Sequence, residues 1–284
     1  MTTEAIIGVD LGGTKVSLGK VQKNRIVKHT SSDISAEGSE EQILGEIIQA
    51  IEEIFDPGVA GIGVGVPSVV DVERGIVYEV QNIASWKEVP LKELLEDHFQ
   101  KPIYVNNDAN CFAVGEKHFG KGKKYHNFVG ITLGTGVGAG IIINDRLYCG
   151  PNCGAGEFGS IPYKNSILEH YCGGQFFISE YGTRGDEIYA RAKQGDKMAL
   201  EIFEQFGFHM GEAMMIIMFA VDPEAIIIGG AVAQSFSFFE KSMRERMKTF
   251  PYQHAVERLV IEITDQPQIA ILGAAALYYD AQLR

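Results

Sequence analysis

Gly8-Val9-Asp10-Leu11-Gly12-Gly13-Thr14-Lys15 is the stretch on which the reading of this chain turns. It completes an apolar run, Ala5–Asp10, that reads as a buried strand. Past the glycines, Val16, Leu18 and Val21 resume a strand pattern, and Asn24-Arg25 turns the chain into a third strand at Ile26–His29. Glycine lets a backbone approach a ligand closely and aim several N–H groups at one anion. An acid where the first strand ends either starts the turn or holds Mg²⁺, which favours carboxylate oxygens and keeps most of its waters. With Thr14 and Lys15 at the same loop, the metal role, exercised through water, is the one favoured for Asp10.

Outward from this loop the pattern alternates strand and helix. Ile43, Ile47, Ile48, Ile51 and Ile54 have helical spacing over Glu40–Phe55, stopped by Asp56-Pro57-Gly58. Gly61–Val66 is strand-like, and Val69–Asp71 with Gly75–Val77 suggests a hairpin. A helix at Leu91–Phe99, a strand at Ile103–Val105 and a helix at Ala109–Phe119 follow. Gly120–Lys124 is a glycine- and lysine-rich connector, which makes 1–119 and 120–270 the expected lobes. The second half echoes the first: strand Phe128–Leu133, a turn at Gly134-Thr135-Gly136-Val137-Gly138, and strand Ala139–Ile143. Helices are expected at Gln175–Tyr181, Gly185–Gln194, Lys197–Phe206 and Gly207–Phe219. A buried strand, Ala225–Gly230, meets a helix that starts near Ala233. Strand Leu259–Ile263 and helix Ile271–Leu283 close the chain, and the last helix is expected to pack back on the first lobe.

Composition removes several function classes. A chain of 284 residues is long for one core, so two lobes are expected. A net charge of −12 argues against a nucleic-acid partner, which needs a basic surface. It leaves room for one nucleotide, held by backbone N–H groups, a metal and local charges. The longest apolar stretches, Ala213–Val221 and Ala225–Ile228, are too short to span a bilayer, and the first residues lack a leader pattern, so a cytoplasmic protein is expected. Cys111, Cys149, Cys153 and Cys172 form no CxxC pair and read as free thiols.

Three glycine turns, Gly12-Gly13, Gly134–Gly138 and Gly229-Gly230, each follow an apolar strand, which favours a nucleotide site. No GxxxxGK[ST] occurs, so a P-loop is excluded. The stretch from Gly134 to Ala139 matches the permissive GxGxxA dinucleotide pattern, but it opens a strand where that fingerprint must open a helix. Asn107-Asp108-Ala109-Asn110 stands at a strand-to-helix junction. There Asp108 is either a helix cap or a carboxylate that accepts a hydroxyl proton.

Taken together, residues 8–15, Asn107-Asp108-Ala109-Asn110, Gly134-Thr135-Gly136-Val137-Gly138 and Gly154-Ala155-Gly156-Glu157-Phe158-Gly159 resemble the ROK family of bacterial glucokinases, other hexose and N-acetylhexosamine kinases, and sugar-responsive repressors. The motifs fall in order along nearly the whole chain. The resemblance implies an α/β, actin-like (ribonuclease H-like) fold of the hexokinase type, with two lobes around a cleft that closes on sugar and ATP. It implies ATP and Mg²⁺ as cofactors, Asp108 as catalytic base, and Ser68, Asn107, Glu157 and Glu169 as sugar ligands. Gly12, Gly13, Thr14, Lys15, Gly134, Thr135 and Gly136 would handle phosphates, with Gly229 and Gly230 beside the nucleoside. A carboxylate suits a sugar because it accepts two hydroxyl protons at once.

The chain departs from the family where a histidine and a zinc-binding cysteine cluster usually follow. Ser160 takes the histidine position, and Pro162-Tyr163-Lys164-Asn165-Ser166 occupies the cysteine region. Tetrahedral zinc needs four ligands together, so no structural zinc is expected. The loop around Glu169 is then expected to be held by packing through Tyr163, Tyr171 and Phe176. Glucose phosphorylation, at the 6-hydroxyl, is the default expectation, with an N-acetylmannosamine or other hexosamine kinase as the alternative. A repressor is the reading from another class, disfavoured by the few residues before the first glycine loop. A small-molecule sugar and ATP are the expected partners, and the apolar helix Gly207–Phe219 suggests a homodimer.

Overall fold

The computed structural model describes residues 4–80 and 82–282. It divides into two compact units: Met1–His126 with Gly140–Ala155 and Asp265–Arg284, and Asn127–Ala139 with Gly156–Thr264. The chain therefore changes unit four times, once inside the strand Val137–Ile143.

The first unit is built on a five-stranded sheet in the order Arg25–Asp33, Lys15–Gln22, Ala5–Leu11, Val59–Val66, Ile103–Asn107. The first three strands pair antiparallel with one another, and Val59–Val66 and then Ile103–Asn107 extend the sheet in the direction of Ala5–Leu11. Lys23 and Asn24 both take positive φ, 50° and 63°, and so form a two-residue hairpin turn whose twist suits the sheet. That turn lies one residue before the expected Asn24-Arg25, because Arg25 is already paired with Gln22. The first helix, Glu40–Glu52, begins at a Ser39 cap and ends before the expected Phe55. A small sheet pairs Val69–Asp71, Ile76–Tyr78 and a third strand, Glu88–Val89, too short to leave a periodicity.

The helix Ile269–Ala281 returns to this unit. It is apolar on every side, and Ile271, Leu272, Ala274, Ala275, Ala276, Leu277 and Tyr278 are buried. Its seat depends on glycines in the two central strands. A methyl on Gly63 would lie 1.8 Å from the Ala274 carbonyl oxygen, and one on Gly8 would lie 2.0 Å from that of Ile271. The same helix crosses Asp108–His118 where Gly273 meets the Cys111 carbonyl. Its expected end at Leu283 lies outside the described residues.

In the second unit Ala225–Gly229 runs parallel to both Phe128–Leu133 and Val260–Ile263. The two helices expected over Lys197–Phe206 and Gly207–Phe219 are one, Lys197–Val221, with Asp196 as its side-chain cap. Gly207 does not break it. There the helix Phe236–Met247 comes so near that a methyl on Gly207 would lie 2.4 Å from the Phe239 carbonyl oxygen. Phe176, Phe177, Phe203, Phe206 and Phe239 fill the core beside these helices.

Candidate active site

In the first unit the parallel strands deliver polar residues to their carboxyl ends. Asp10 stands one residue from the end of Ala5–Leu11, paired across to Ser17 on one side and Gly65 on the other. Burial lifts its carboxyl to about 6, and the nearby charge of Asp108 adds to the lift. Just beyond, the Gly12 N–H donates to the Lys15 carbonyl at 2.8 Å and closes the loop. Thr14 and Lys15 are exposed, and Gly13 lies so close to Asn82 that a methyl would sit 2.5 Å from its Cβ.

The junction at Asn107-Asp108 is settled by its hydrogen bonds. Asn107, not Asp108, caps the helix: its Oδ1 accepts from the Ala109 and Asn110 N–H groups at 2.9 and 3.4 Å. Its Nδ2 donates to the Ser68 carbonyl at 3.3 Å, and the Ser68 hydroxyl donates to the Tyr78 carbonyl. Asp108 opens the helix, with Oδ1 accepting from Ala109 N–H at 2.8 Å. Its carboxyl is held above the ordinary range by burial, against the opposing pull of that N–H. Asp108 still keeps surface open to solvent.

In the second unit Gly134, Thr135 and Gly136 turn the chain between strands. Gly134 N–H donates to the Gly136 carbonyl at 3.1 Å. The carbonyls of Gly134 and Thr135 accept from Gly174 and Gln175 at 2.8 and 3.1 Å, which ties the turn to the start of the helix Gln175–Tyr181. Glu169 Oε2 accepts the Val137 N–H at 2.8 Å and lies where any side chain on Gly136 would go. Glu157 stands exposed before the short 3₁₀ turn Phe158–Ser160, and Ser160 is exposed after it. Gly229 ends its strand, and Gly230 turns back against the Leu133 backbone with φ of 89°.

A cavity of about 540 Å³ opens beside this turn, lined by Gly134 and Thr135 together with Arg184, Tyr189, Gln234 and Ser235. Sequence reasoning found the first two and missed the rest, which belong to helices with no motif of their own. Gly174 also lines it, and its pairing with Gly173 was the one available signal.

The region without cysteines is packed by aromatic rings and a histidine. Tyr163 OH pairs with His209 Nδ1 at 2.9 Å, and Lys164 Nζ approaches His209 Nε2 at 3.5 Å. Tyr171, tilted, and Phe176, edge-on, pack their rings against the same imidazole. Burial, then the Lys164 charge, lowers His209 to about 4, so it is neutral at physiological pH. Tyr163, Tyr171 and Phe176 thus do the packing expected of them, but around a histidine that sequence reasoning did not single out. Among the described residues no cluster of three His, Cys, Asp or Glu is placed to hold a metal ion, and no helix is long and apolar enough to cross a membrane.

Comparison with known proteins bears on the same residues. The ROK family profile matches residues 6–281. A glucokinase of Thermotoga maritima is 28% identical, over 96% of each chain. A xylose repressor of Caldicellulosiruptor bescii is 27% identical over 96% of this chain and 77% of its own. A ROK family glucokinase from Streptomyces griseus, solved with glucose and AMPPNP, superposes with a TM-score of 0.80 at 28% identity, covering 96% of this chain and 98% of that one. The mixed α/β fold is accordingly the actin-like, two-domain fold of the hexokinase type.

Proposed function

Because the chain belongs to the ROK family, we propose that it is an ATP- and Mg²⁺-dependent sugar kinase that phosphorylates a hexose hydroxyl, with Asp108 as the base. The observation that carries this reading is the division of labour at the helix start. Asn107 supplies the cap, so the Asp108 carboxylate is spared that task, yet it is held above the ordinary range and lies near enough to Asp10 for its charge to raise that carboxyl. Proteins place groups so perturbed where they do chemistry.

The first unit's Asp108 accepts the proton of the attacking hydroxyl as the bond to phosphorus forms. Asn107 retains one Nδ2 hydrogen for a sugar hydroxyl, and Ser68 retains its oxygen as an acceptor. Glu157 and Glu169 supply carboxylate acceptors, Glu169 while it also secures the Val137 N–H. The Gly12 and Gly134 N–H groups are spent inside their own turns. The next N–H groups along each loop, those of Gly13 and Thr14 and of Thr135 and Gly136, are assigned to phosphate oxygens, and Lys15 adds charge. Gly229 and Gly230 lead into Ala231 and Val232 on the wall of the 540 Å³ cavity, which suits a nucleoside.

The residues fit a divalent cation as well: Asp10 and Asp108 are hard oxygen donors whose charges oppose one another, a conflict a cation relieves. Asp10 is assigned to hold Mg²⁺ through water. When bound, Mg²⁺–ATP supplies the phosphoryl group and neutralises its developing charge.

Coupled ADP release with glucose, mannose, fructose, N-acetylglucosamine and N-acetylmannosamine tests the reading. Glucose is the expected best substrate, with its 6-hydroxyl as acceptor. Preference for N-acetylmannosamine would move the assignment within the class, and no turnover with any sugar would remove it in favour of a sugar-sensing role like that of the xylose repressors. Asp108→Asn is expected to lower kcat by about 100-fold or more while sugar still binds; near-normal turnover in that variant would take Asp108 out of the base role.

A further inference from the structure

Directly behind Asn107 the first unit buries a polar cluster that phosphoryl transfer does not use. Asn106 and Asn110 are 2% and 1% exposed, and Cys149 and Cys153 stand against them at 8% and 4%. The Cys153 sulfur lies 3.4 Å from Asn106 Oδ1 and 3.5 Å from Asn110 Nδ2. The Cys149 sulfur lies 3.5 Å from Asn106 Nδ2 and 3.8 Å from Asn110 Nδ2. Both sulfurs thus stand against the same two groups, Asn106 Oδ1 and Asn110 Nδ2, and the loop that carries them is closed by Ala155 N–H on the Cys149 carbonyl at 3.0 Å. Cys149 also lines a cavity of about 710 Å³ with Tyr148, Gly150 and Asn152, which gives a small molecule a way to the pair.

We propose that Cys149 and Cys153 are a dithiol modification site, converted reversibly to a disulfide by hydroperoxides that enter through this cavity. All four cysteines of the chain are free thiols, but only this pair has both a partner sulfur and an environment that favours thiolate. Donation from Cys149, then from the Asn107, Val70 and Asn110 N–H groups, outweighs burial and brings Cys153 to about 7. Burial pushes Cys111 and Cys172 far in the other direction.

The chemistry closes without a further reactant. Cys149 is the donor of the pair, so the Cys153 sulfur, its proton lost to solvent, is the thiolate that attacks the peroxide. An S–O bond forms, the O–O bond breaks, and the alkoxide or hydroxide takes a proton to leave as alcohol or water. The Cys149 sulfur, having given its proton to that leaving oxygen, then attacks the Cys153 sulfenic acid; an S–S bond forms, the S–O bond breaks, and hydroxide leaves as water with the proton that Cys153 first released to solvent. The two sulfurs together lose two electrons and the peroxide gains them. An external dithiol restores both thiols by exchange.

Oxidation removes the S–H donors from Asn106 Oδ1, the atom that also accepts the Asn107 N–H at 2.8 Å. Asn107 anchors the Asp108 helix, so the disulfide is expected to slow turnover by about tenfold or more through misplacement of that helix start. This last effect rests on the kinase reading; the bond itself does not.

The full chain, reduced and then exposed to hydrogen peroxide, is digested with trypsin without reduction. Both cysteines fall in the single tryptic peptide 147–164, so the expected product is that peptide lighter by two hydrogens, restored by dithiothreitol. Both thiols still free while Cys111 or Cys172 is oxidised, or a bond between chains, would overturn the site. This readout uses only the natural chain, so it stands whether or not a variant folds. Cys153→Ser keeps a hydrogen-bond donor beside Asn106 Oδ1, so it should keep reduced-state turnover while forming no disulfide within peptide 147–164. A wild-type disulfide that leaves kcat unchanged would overturn the coupling to Asp108. Absence of kinase activity in the reduced chain would count against the kinase reading alone, because the peptide mass still reports the bond.

Discussion

Asp10 shows how one side chain can cost stability at a position proposed for chemistry. Its folded-state value, about 6, lies above the ordinary 3.8, so the native state prefers the neutral acid. The stabilisation from burying it is complete below about pH 3.8 and is lost as pH rises through about 6. Asp10→Asn, which mimics the neutral form, is therefore expected to stabilise the protein at pH 7.5 by about 2 kcal/mol and to add little at pH 4. Urea unfolding at the two pH values checks this, and equal gains at both would remove the charge argument. Turnover should fall in the same variant, since the amide cannot replace a carboxylate beside Mg²⁺. The neighbouring question, whether Asp108 is cap or catalyst, was open in the sequence because both roles use an acid at a helix start. The structure gives the cap to Asn107, which has the extended backbone of one, φ −61° and ψ 145°, and a side chain that reaches two helical N–H groups; the role of Asp108 as base is the proposal that its Asn variant tests. No pattern of residue types carries that information.

The elements of the fold were legible in outline, and the misreadings share a cause. Strands and helices announced themselves through apolar spacing, but Gly207 looked like a helix break and is a crossing point, where Phe236–Met247 needs the missing side chain. Glycine in a sequence marks either freedom or proximity, and only the packing partner tells which. Gly63 and Gly45 make the contrast measurable. At Gly63 an added methyl would meet the Ala274 carbonyl oxygen at 1.8 Å, so Gly63→Ala must displace the helix Ile269–Ala281 and is expected to cost about 3 kcal/mol. Gly45 sits exposed in Glu40–Glu52 with nothing within 4 Å, so Gly45→Ala should stabilise by roughly 0.5–1 kcal/mol. Thermal unfolding of both variants separates the two meanings. A second element-level case is the loop held by Tyr163. Removing its hydroxyl leaves His209 Nδ1 without its partner, so Tyr163→Phe should lose about 1 kcal/mol. The lowered His209 contributes stability that is present above about pH 6.5 and is lost as pH falls toward about 4, so wild type should weaken over that window as this ring takes up a proton.

At the scale of the molecule, the motifs that made the family legible are divided between the two units, and the ligands should divide with them. Asp10, Ser68, Asn107 and Asp108 belong to the first unit, while every residue lining the 540 Å³ cavity belongs to the second. That cavity draws on segments far apart in sequence: Gly134 and Thr135, then Gly174 to Ile178, Arg184 to Tyr189, and Ala231 to Ser235. A nucleotide that bridges these segments would add contacts to each of them, and the slowing of hydrogen exchange should concentrate there. A non-hydrolysable ATP analogue added without sugar is therefore expected to slow exchange in those four segments. The strands Ala5–Leu11 and Val59–Val66, already buried, should be unaffected. Mass spectrometry of peptides cut from the full chain after exchange reads this segment by segment. The other large cavity is the control, because it lies wholly in the first unit, between residues 69–78 and 147–152. Protection there and not at the glycine turn would reassign the nucleotide to the wrong half of the sequence echo, and Thr135 would lose its role. Protection at the turn would instead explain why Glu169 is spent on Val137 N–H: with the carboxylate pinning its far side, the Gly134-Thr135-Gly136 turn meets an anion already shaped.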